Sequence, residues 1–316
     1  MNVTDAIAPF GFRRDLHRWR QLVTPAWVAG LVAGAPLAAA PAKDWRLFEI
    51  GFGAADAFAC GHIGGAGYID TAQLEHGPLW NKVPDTALER LLLEHGIRHD
   101  VTVILYGRNQ LAAARAAHLM LYAGVEDVRL LDGGFDAWTA AGLPLAQGRA
   151  HRYQRASDFG TAFPAHPEYL LDMPAARSLL NQPDGALVST RTWNEFIGKT
   201  SGYPYIEAKG DIAGARWGRS GGDDDVNSMT EFHSGGRMKA AAEIARMWGA
   251  AGIRADQHTV FYCGTGWRAS LAFFYAWLMN WPRIGVYDGG WCEWSTDPDN
   301  PVVCRAEASE RRALGS

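Results

Sequence analysis

Cys263 closes the apolar run Thr259-Val260-Phe261-Tyr262 and opens the segment Gly264-Thr265-Gly266-Trp267-Arg268, after which Ala269 to Met279 reads as a helix. A thiol at a strand end, facing a turn that contains two glycines, is placed for nucleophilic chemistry. Successive amide N–H groups of such a turn can converge as an anion nest, and the free N–H groups of the helix start add positive potential. Both effects favour thiolate, the reactive form of cysteine. Gly264 and Gly266 let the backbone take positive φ and approach a bound group closely. Arg268 offers a planar donor fork, either to brace the loop against a carboxylate or to face an anion.

Loop length discriminates between chemistries. Phosphatases and arsenate reductases of the C-x-x-x-x-x-R type wrap a tetrahedral oxyanion in a longer turn, whereas only four residues separate Cys263 from Arg268. A smaller ring suits one extra sulfur atom carried on the thiol, which leaves a cysteine-dependent phosphatase as the remote alternative. A non-catalytic binding module would lack the thiol altogether.

The elements that must hold this loop are written twice. Val103 to Trp138 and Thr259 to Trp294 both read as an apolar strand, a turn, a helix, a second strand and an Asp-Gly-Gly motif followed by aromatic residues. Aligning the two Asp-Gly-Gly motifs sets Gly107 opposite Cys263, so the thiol belongs to the second copy alone. His62 to Ala66 (HIGGA) is echoed by Asp211 to Ala215 (DIAGA), with strands expected upstream at Arg46–Ile50 and Ala186–Thr190. Strands alternating with helices predict two α/β domains with parallel sheets covered on both faces. The expected organisation is an inactive domain over residues 20–147, a linker over 148–166 where Gly, Arg, His and Pro gather, and a catalytic domain over 167–306. Val188 to Asp211 spans 23 positions against 14 from Phe48 to His62, and extra loop of this kind tends to carry function.

These features resemble the rhodanese superfamily, in particular tandem-domain sulfurtransferases of the thiosulfate and 3-mercaptopyruvate type, over about residues 20 to 305. The resemblance rests on the repeat, HIGGA and DIAGA, the two Asp-Gly-Gly-aromatic motifs, the CGTGWR loop and Trp294-Ser295-Thr296-Asp297-Pro298. It implies two rhodanese-like domains, each a five-stranded parallel sheet flanked by helices, with the first inactive. It further implies that Cys263 is loaded as a persulfide by a small-molecule sulfur donor (thiosulfate, 3-mercaptopyruvate or polysulfide) and unloaded by a thiol, cyanide or imidazole acceptor, in a ping-pong sequence that requires no metal or organic cofactor. A helper arginine would fall on Arg191, although Ser189 stands where the family commonly has Asp. The segment Ser201 to Gly218, with Tyr203, Tyr205, Lys209 and Trp217, is similar to rhodanese-type enzymes that pass sulfur to the imidazole carbon of hercynine, giving ergothioneine. That reading makes Tyr205 or Tyr203 a general acid and Trp217 or Trp267 an aromatic wall for a trimethylammonium group.

Composition excludes several other classes. Thirty Lys and Arg against 34 Asp and Glu, a formal charge of −4 without long runs, offers no basic face to nucleic acid or anionic lipid. The most apolar stretch, Trp27 to Ala42, is broken by Pro36 and Pro41 and falls short of the ~20 residues a spanning helix needs. Met1 to Arg20 lacks the uninterrupted apolar core of a secretory signal, so a cytoplasmic protein is expected, with a monomer as the default. None of the four cysteines forms a C-x-x-C pair and no histidines have metal-ligand spacing. Cys60, Cys292 and Cys304 are read as core residues and His62 as a backbone cap. Asp223-Asp224-Asp225 reads as a solvated turn or a mobile lid, and Glu307 to Ser316 as a frayed tail.

Overall fold

The computed structural model describes residues 11–306 apart from Lys43 and Ala54; the tail from Glu307 and the first ten residues lie outside this range. Ten strands build two parallel sheets. The amino-terminal sheet holds β1 (Leu22–Val23), β2 (Trp45–Gly51), β3 (Gly67–Asp70), β4 (Thr102–Tyr106) and β5 (Asp127–Leu131) in the order β1-β5-β4-β2-β3. The carboxy-terminal sheet holds β6 (Leu170–Leu171), β7 (Gly185–Ser189), β8 (Arg216–Trp217), β9 (His258–Tyr262) and β10 (Ile284–Tyr287) in the order β8-β7-β9-β10-β6. The two orders are the same when the repeats are laid over one another. Register agrees as well: Glu49 pairs with Tyr106 in the first sheet and Ser189 with Tyr262 in the second.

Successive side chains of a strand point to opposite faces, and here the two faces serve different cores. Leu47, Ile104 and Leu131 pack with Trp27 and Trp138 in a cluster of the first half, and Leu187, Val260 and Tyr287 pack with Trp291 and Trp294 in one of the second. Phe48, Ile50, Leu105, Val188, Phe261 and Val286 instead enter a single core shared by both halves. Its centre is a pair of helices, Gln110–Ala123 and Trp267–Leu278, buried nearly all round. A helix apolar on every side belongs inside a protein, and the two helices meet where the Phe273 ring lies 4.8 Å from that of His118.

Two hairpins lock the halves together by exchange. In the first half Glu75–His76 pairs with Asn81–Lys82, and Lys82 N donates to Asp288 Oδ2 of the second half at 2.9 Å. In the second half His233–Ser234 pairs with Arg237–Met238, and Met238 N donates to Asp132 Oδ1 of the first at 2.9 Å. Each aspartate opens an Asp-Gly-Gly motif, so the motif's first residue fastens one repeat to the hairpin of the other. Segment 148–166 has no long regular element and lies along the amino-terminal sheet, with His151 N donating to Ala66 O and Tyr153 Oη accepting from Leu47 N, both at 2.9 Å. Among the described residues no helix is long and apolar enough to cross a membrane.

Candidate active site

Open parallel sheets place ligand crevices outside the carboxyl ends of their strands, and Cys263 follows the end of β9. Its Sγ accepts a hydrogen bond from Gly266 N at 3.1 Å. Gly266 makes that turn possible with φ of +111°, a left-handed conformation that L side chains rarely adopt, and the helix Trp267–Leu278 begins immediately after it. The second glycine of the Asp-Gly-Gly motif has a comparable duty. Gly290 has φ of +53°, and a Cβ there would lie 2.6 Å from Cys263 O and 2.7 Å from Gly264 O. Its absence lets Trp291 N donate to Cys263 O at 2.8 Å and Cys292 N to Gly264 O at 3.0 Å. The first half repeats the arrangement around Gly107, with Gly134 at φ of +58° and Phe135 N donating to Gly107 O at 3.0 Å.

Arg268 closes the loop and is fully buried. Its Nη1 and Nη2 meet Glu195 Oε2 and Oε1 at 2.7 and 3.0 Å. Glu195 sits in the helix Trp193–Ile197 through a capping box with Thr192, whose N donates to Oε2 at 2.8 Å. Burial alone would raise the Glu195 carboxyl, but the charges and hydrogen bonds of Arg268, joined by Arg191 and the Thr192 amide, hold it down at about 2. Arg268 thus takes the bracing role of the two left open by the sequence, and its guanidinium also lies 5.6 Å from the Tyr203 ring centre.

Arg191, expected to face a substrate anion, is fully buried instead. Its Nη1 donates to Gly210 O at 2.6 Å and to Asp211 Oδ2 at 3.2 Å, and its Nη2 to Ser201 O at 3.1 Å. The DIAGA motif explains this placement, because Asp211 also accepts from Ser189 Oγ at 2.9 Å and from the Tyr262 hydroxyl. The acid that position 189 lacks is supplied from the next strand, and it draws Arg191 inward. Trp217 lies on the same side, donating from Nε1 to Arg191 O at 2.9 Å and packing on Trp193 with ring centres 4.7 Å apart.

A cavity of about 460 Å³ opens where the two halves meet. The second half lines it with Thr265, Trp267, Tyr203, Tyr205 and Asn227, and the first half with the ends of β2 and β4, including Glu49, Phe52 and Arg108. The Cys263 loop reaches this cavity through Thr265 and Trp267, while Cys263 itself is buried. Tyr203 and Tyr205 stack with ring centres 5.3 Å apart, and the edge of Tyr203 lies against Gly264. The Tyr203 hydroxyl donates toward Val226 O and Asn227 Oδ1 at 3.4 and 3.3 Å, so the segment carrying Asp223-Asp224-Asp225 borders the cavity. Burial pushes the Tyr205 hydroxyl up to about 12 against the opposing hydrogen bond to Thr265, with the nearby Cys263, Cys292 and Glu75 adding to the rise. Trp267 is held from the first half, its Nε1 donating to Glu75 Oε1. Glu75 Oε2 in turn accepts from Arg115 Nε at 2.8 Å, and Arg115 Nη2 donates to Asp288 Oδ1 at 2.6 Å.

The structure therefore gathers Thr265, Trp267, Tyr203 and Tyr205 around one cavity beside the Cys263 loop and leaves Arg191 and Trp217 outside its lining. Sequence reasoning passed over Glu195, signalled by its capping box, and the first-half residues Glu49, Glu75, Arg108 and Arg115. Glu49 within Leu47-Phe48-Glu49-Ile50 and Arg115 within an alanine-rich helix were the available signals, since a charge in an apolar run needs a partner. Cys292 is buried as expected, which raises its thiol pKa. Cys60 is a correction: it is exposed, because the short helix Asp56–Cys60 turns Phe58 inward and Cys60 outward, and Cys304 is half-buried. His62 Nδ1 donates to Phe58 O at 2.9 Å, a backbone contact. No cluster of three or more His, Cys, Asp or Glu among the described residues could hold a metal ion.

Comparison with known proteins gives this geometry its family. The rhodanese-like domain matches residues 41–141 and 172–297. Thiosulfate sulfurtransferase YnjE of Escherichia coli (strain K12) is 52% identical over 302 residues, covering 95% of this chain and 69% of the relative. The crystal structure of YnjE aligns with a TM-score of 0.89 at 53% identity, over 91% of this chain and 69% of that one. A probable 3-mercaptopyruvate sulfurtransferase of Pseudomonas aeruginosa is 34% identical over 254 residues, 77% of this chain and 84% of the relative. An anaerobic ergothioneine biosynthesis enzyme from Chlorobium limicola, solved with trimethyl histidine, aligns with a TM-score of 0.86 at 38% identity, over 91% of this chain and 71% of that one. With two matched domains and relatives at this level of identity, the chain belongs to the rhodanese family.

Proposed function

We propose that this chain is a sulfurtransferase in which Cys263 carries the transferred sulfur as a persulfide. The observation that carries the reading is the Gly266 N–H directed at Cys263 Sγ at 3.1 Å, in a loop whose next residues line a cavity shared by both halves. In the first half-reaction Cys263 Sγ attacks the sulfane sulfur of a donor. With thiosulfate the S–S bond breaks and sulfite leaves; with 3-mercaptopyruvate the C–S bond breaks and pyruvate leaves after protonation. The loop amides then stabilise the outer sulfur, as preorganised N–H donors stabilise any anion held in a turn. In the second half-reaction a nucleophile bonds to the outer sulfur and the Cys263 thiolate departs: cyanide becomes thiocyanate, and a thiol becomes a persulfide. Glu195 and Arg268 hold the loop in shape and touch no substrate.

A second reading concerns the acceptor. Tyr205 lies beside Thr265 with its proton held to about pH 12, and the likeness to the ergothioneine enzyme covers nearly the whole described chain. In this reading C2 of the hercynine imidazole bonds to the outer sulfur, the persulfide S–S bond breaks to release Cys263 thiolate, and the C2 proton is lost. The Tyr205 hydroxyl supplies the hydrogen bond or proton that the ring and the departing thiolate need.

A panel of thiosulfate, 3-mercaptopyruvate and polysulfide donors, crossed with cyanide, dithiol, thioredoxin-like and hercynine acceptors and read by product mass, tests both readings. Sulfur transfer that depends on Cys263 and disappears in Cys263→Ser supports the first. Ergothioneine formed from hercynine, and lowered at least tenfold in kcat by Tyr205→Phe, supports the second. No product with any pair, or equal product from Cys263→Ser, overturns the assignment.

A further inference from the structure

An unbroken run of aromatic rings borders the cavity beside the Cys263 loop, and both halves supply it. Trp267 of the loop meets Phe52 with ring centres 6.2 Å apart, Phe52 meets Trp80 at 6.3 Å, and Trp80 meets Tyr205 at 6.3 Å. Tyr205 stacks on Tyr203, whose edge returns to Gly264. The run thus begins and ends on the loop that carries the thiol, and its far side, Phe52 and Trp80, belongs to the half without one.

Neither first-half ring sits where folding alone would put it. Phe52 directly follows β2 and is 65% exposed, more than any other large apolar side chain among the described residues. Trp80 has φ of +60° at the turn between Glu75–His76 and Asn81–Lys82, where its N donates to His76 O at 3.0 Å. A left-handed backbone suits glycine or asparagine, and a bulky residue there is an outlier that costs energy. A solvent-facing phenyl and an indole on a strained backbone are both unfavourable for folding. Both become favourable when the apolar surface of a ligand covers them.

The charged residues of the lining decide what kind of group that is. Glu49 bonds Arg108 Nε at 2.9 Å and the Tyr106 hydroxyl. Arg108 further donates to Ala57 O and Gly61 O and lies 4.0 Å from the Phe135 ring centre. Glu75 is held by Arg115 and Trp267. Each charge is already met within the wall, so a charged group gains little there, whereas a planar apolar group gains contact with the rings. We propose that Phe52 and Trp80 are specificity-determining residues that receive a planar apolar ring on the leaving group of the sulfur donor, which makes the preferred donor an arenethiosulfonate. Its sulfane sulfur, where the charge sits, faces the loop amides, and its ring lies against Phe52 and Trp80. In loading, the Cys263 thiolate bonds to the sulfane sulfur, the S–S bond to the sulfonyl sulfur breaks, and the arenesulfinate leaves with the bonding pair. The inference rests on the reading of Cys263 as the sulfur carrier.

Donor kinetics of the full chain with cyanide as acceptor test it, comparing benzenethiosulfonate with methanethiosulfonate. The two share the reacting S–S bond and the charge and differ in the ring. Thiocyanate formation is expected to give a kcat/KM for the benzene donor about tenfold or more above that for the methane donor. Phe52→Ala and Trp80→Asn are each expected to lower that ratio by about threefold or more. The leaving ability of the two sulfinates is common to every variant, so a change in the ratio reports contact with the ring. Phe52 is exposed and asparagine accepts a left-handed backbone, so both variants should keep the wild-type denaturation midpoint. A wild-type ratio below about threefold, or a ratio that neither substitution lowers, would overturn the proposal; a ratio that one of them leaves unchanged removes that residue from the site. Equilibrium binding of the unreactive benzenesulfonate and methanesulfonate separates the two readings. Benzenesulfonate preferred about tenfold, with the preference lost in Phe52→Ala and no sulfur loaded from any donor, overturns the carrier reading alone. Loading with no preference for the ring in either assay overturns the ring site alone.

Discussion

Arg268 and Glu195 meet in a two-point ion pair with no exposure to solvent, at 2.7 and 3.0 Å. The residue that ends the Cys263 loop is thereby anchored to a helix start in the long insertion of the second half. Breaking a buried pair from one side leaves the other charge unpartnered at a cost of about 3 to 5 kcal/mol. Glu195→Gln is expected to lower stability by that amount and to slow sulfur loading, with the denaturation midpoint and the loading rate as readouts. A Gln variant as stable as wild type would show that the pair does not hold the loop.

The same pair sets an acid dependence. Glu195 is held at about 2 in the folded protein, below the roughly 4.3 of a free glutamate. A depressed carboxyl contributes stability that is present above the unfolded value and lost as pH falls through the folded one. The stability gap between wild type and Glu195→Gln should therefore be constant above about pH 5 and narrow progressively toward pH 2. Chemical denaturation across that range checks it, and a gap independent of pH contradicts it.

Gly290 is expected to be intolerant. Gly290→Ala puts a Cβ 2.6 Å from Cys263 O at φ of +53°, and strain at such a position costs about 1 to 3 kcal/mol. Because the displaced atoms belong to the loop, sulfur loading should fall along with stability. Gly249 supplies the contrast: exposed in the helix Ala241–Ala250 with nothing near its missing Cβ, it should gain about 0.5 to 1 kcal/mol as Gly249→Ala. Thermal melts of the two variants shifting in the same direction would contradict this reading of the motif.

Arg115 joins the halves, since it lies in the first and bonds both Glu75 and Asp288. Removing it as Arg115→Met strands two buried carboxylates and is expected to cost at least about 3 kcal/mol. Trp267, held by Glu75, should lose its fixed environment, shifting intrinsic fluorescence in the native state. Unchanged stability and emission would mean that the network does not position the loop.

Much of the architecture was legible because the repeat is written in residue types with strong local meaning. Apolar strands, an alanine-rich helix and the Asp-Gly-Gly turns predict two parallel α/β units, and the asymmetry of Gly107 against Cys263 singles out one loop. The contacts between repeats were not legible. Nothing local in Asp132 or Asp288 says that its acceptor oxygen is meant for the hairpin of the other half, and nothing in Ser189 says that Asp211 will stand in for a missing acid. Arg191 followed Asp211 inward for the same reason. The cavity's first-half wall escaped notice because a half without a thiol was read only for what it lacks. Glu49 and Arg115 were visible as charges in apolar segments, but their partners are set by the packing of whole domains, which no window of sequence contains.

The central claim is that Cys263 holds transferable sulfur. Intact mass of the full chain after incubation with thiosulfate, 3-mercaptopyruvate or polysulfide, followed by peptide mapping, measures it most directly. The expected result is a gain of one sulfur atom located on Cys263, reversed by cyanide and absent from Cys263→Ser. A mass that never changes with any donor, or added sulfur found on Cys60 or Cys304 with Cys263 unmodified, would contradict the account.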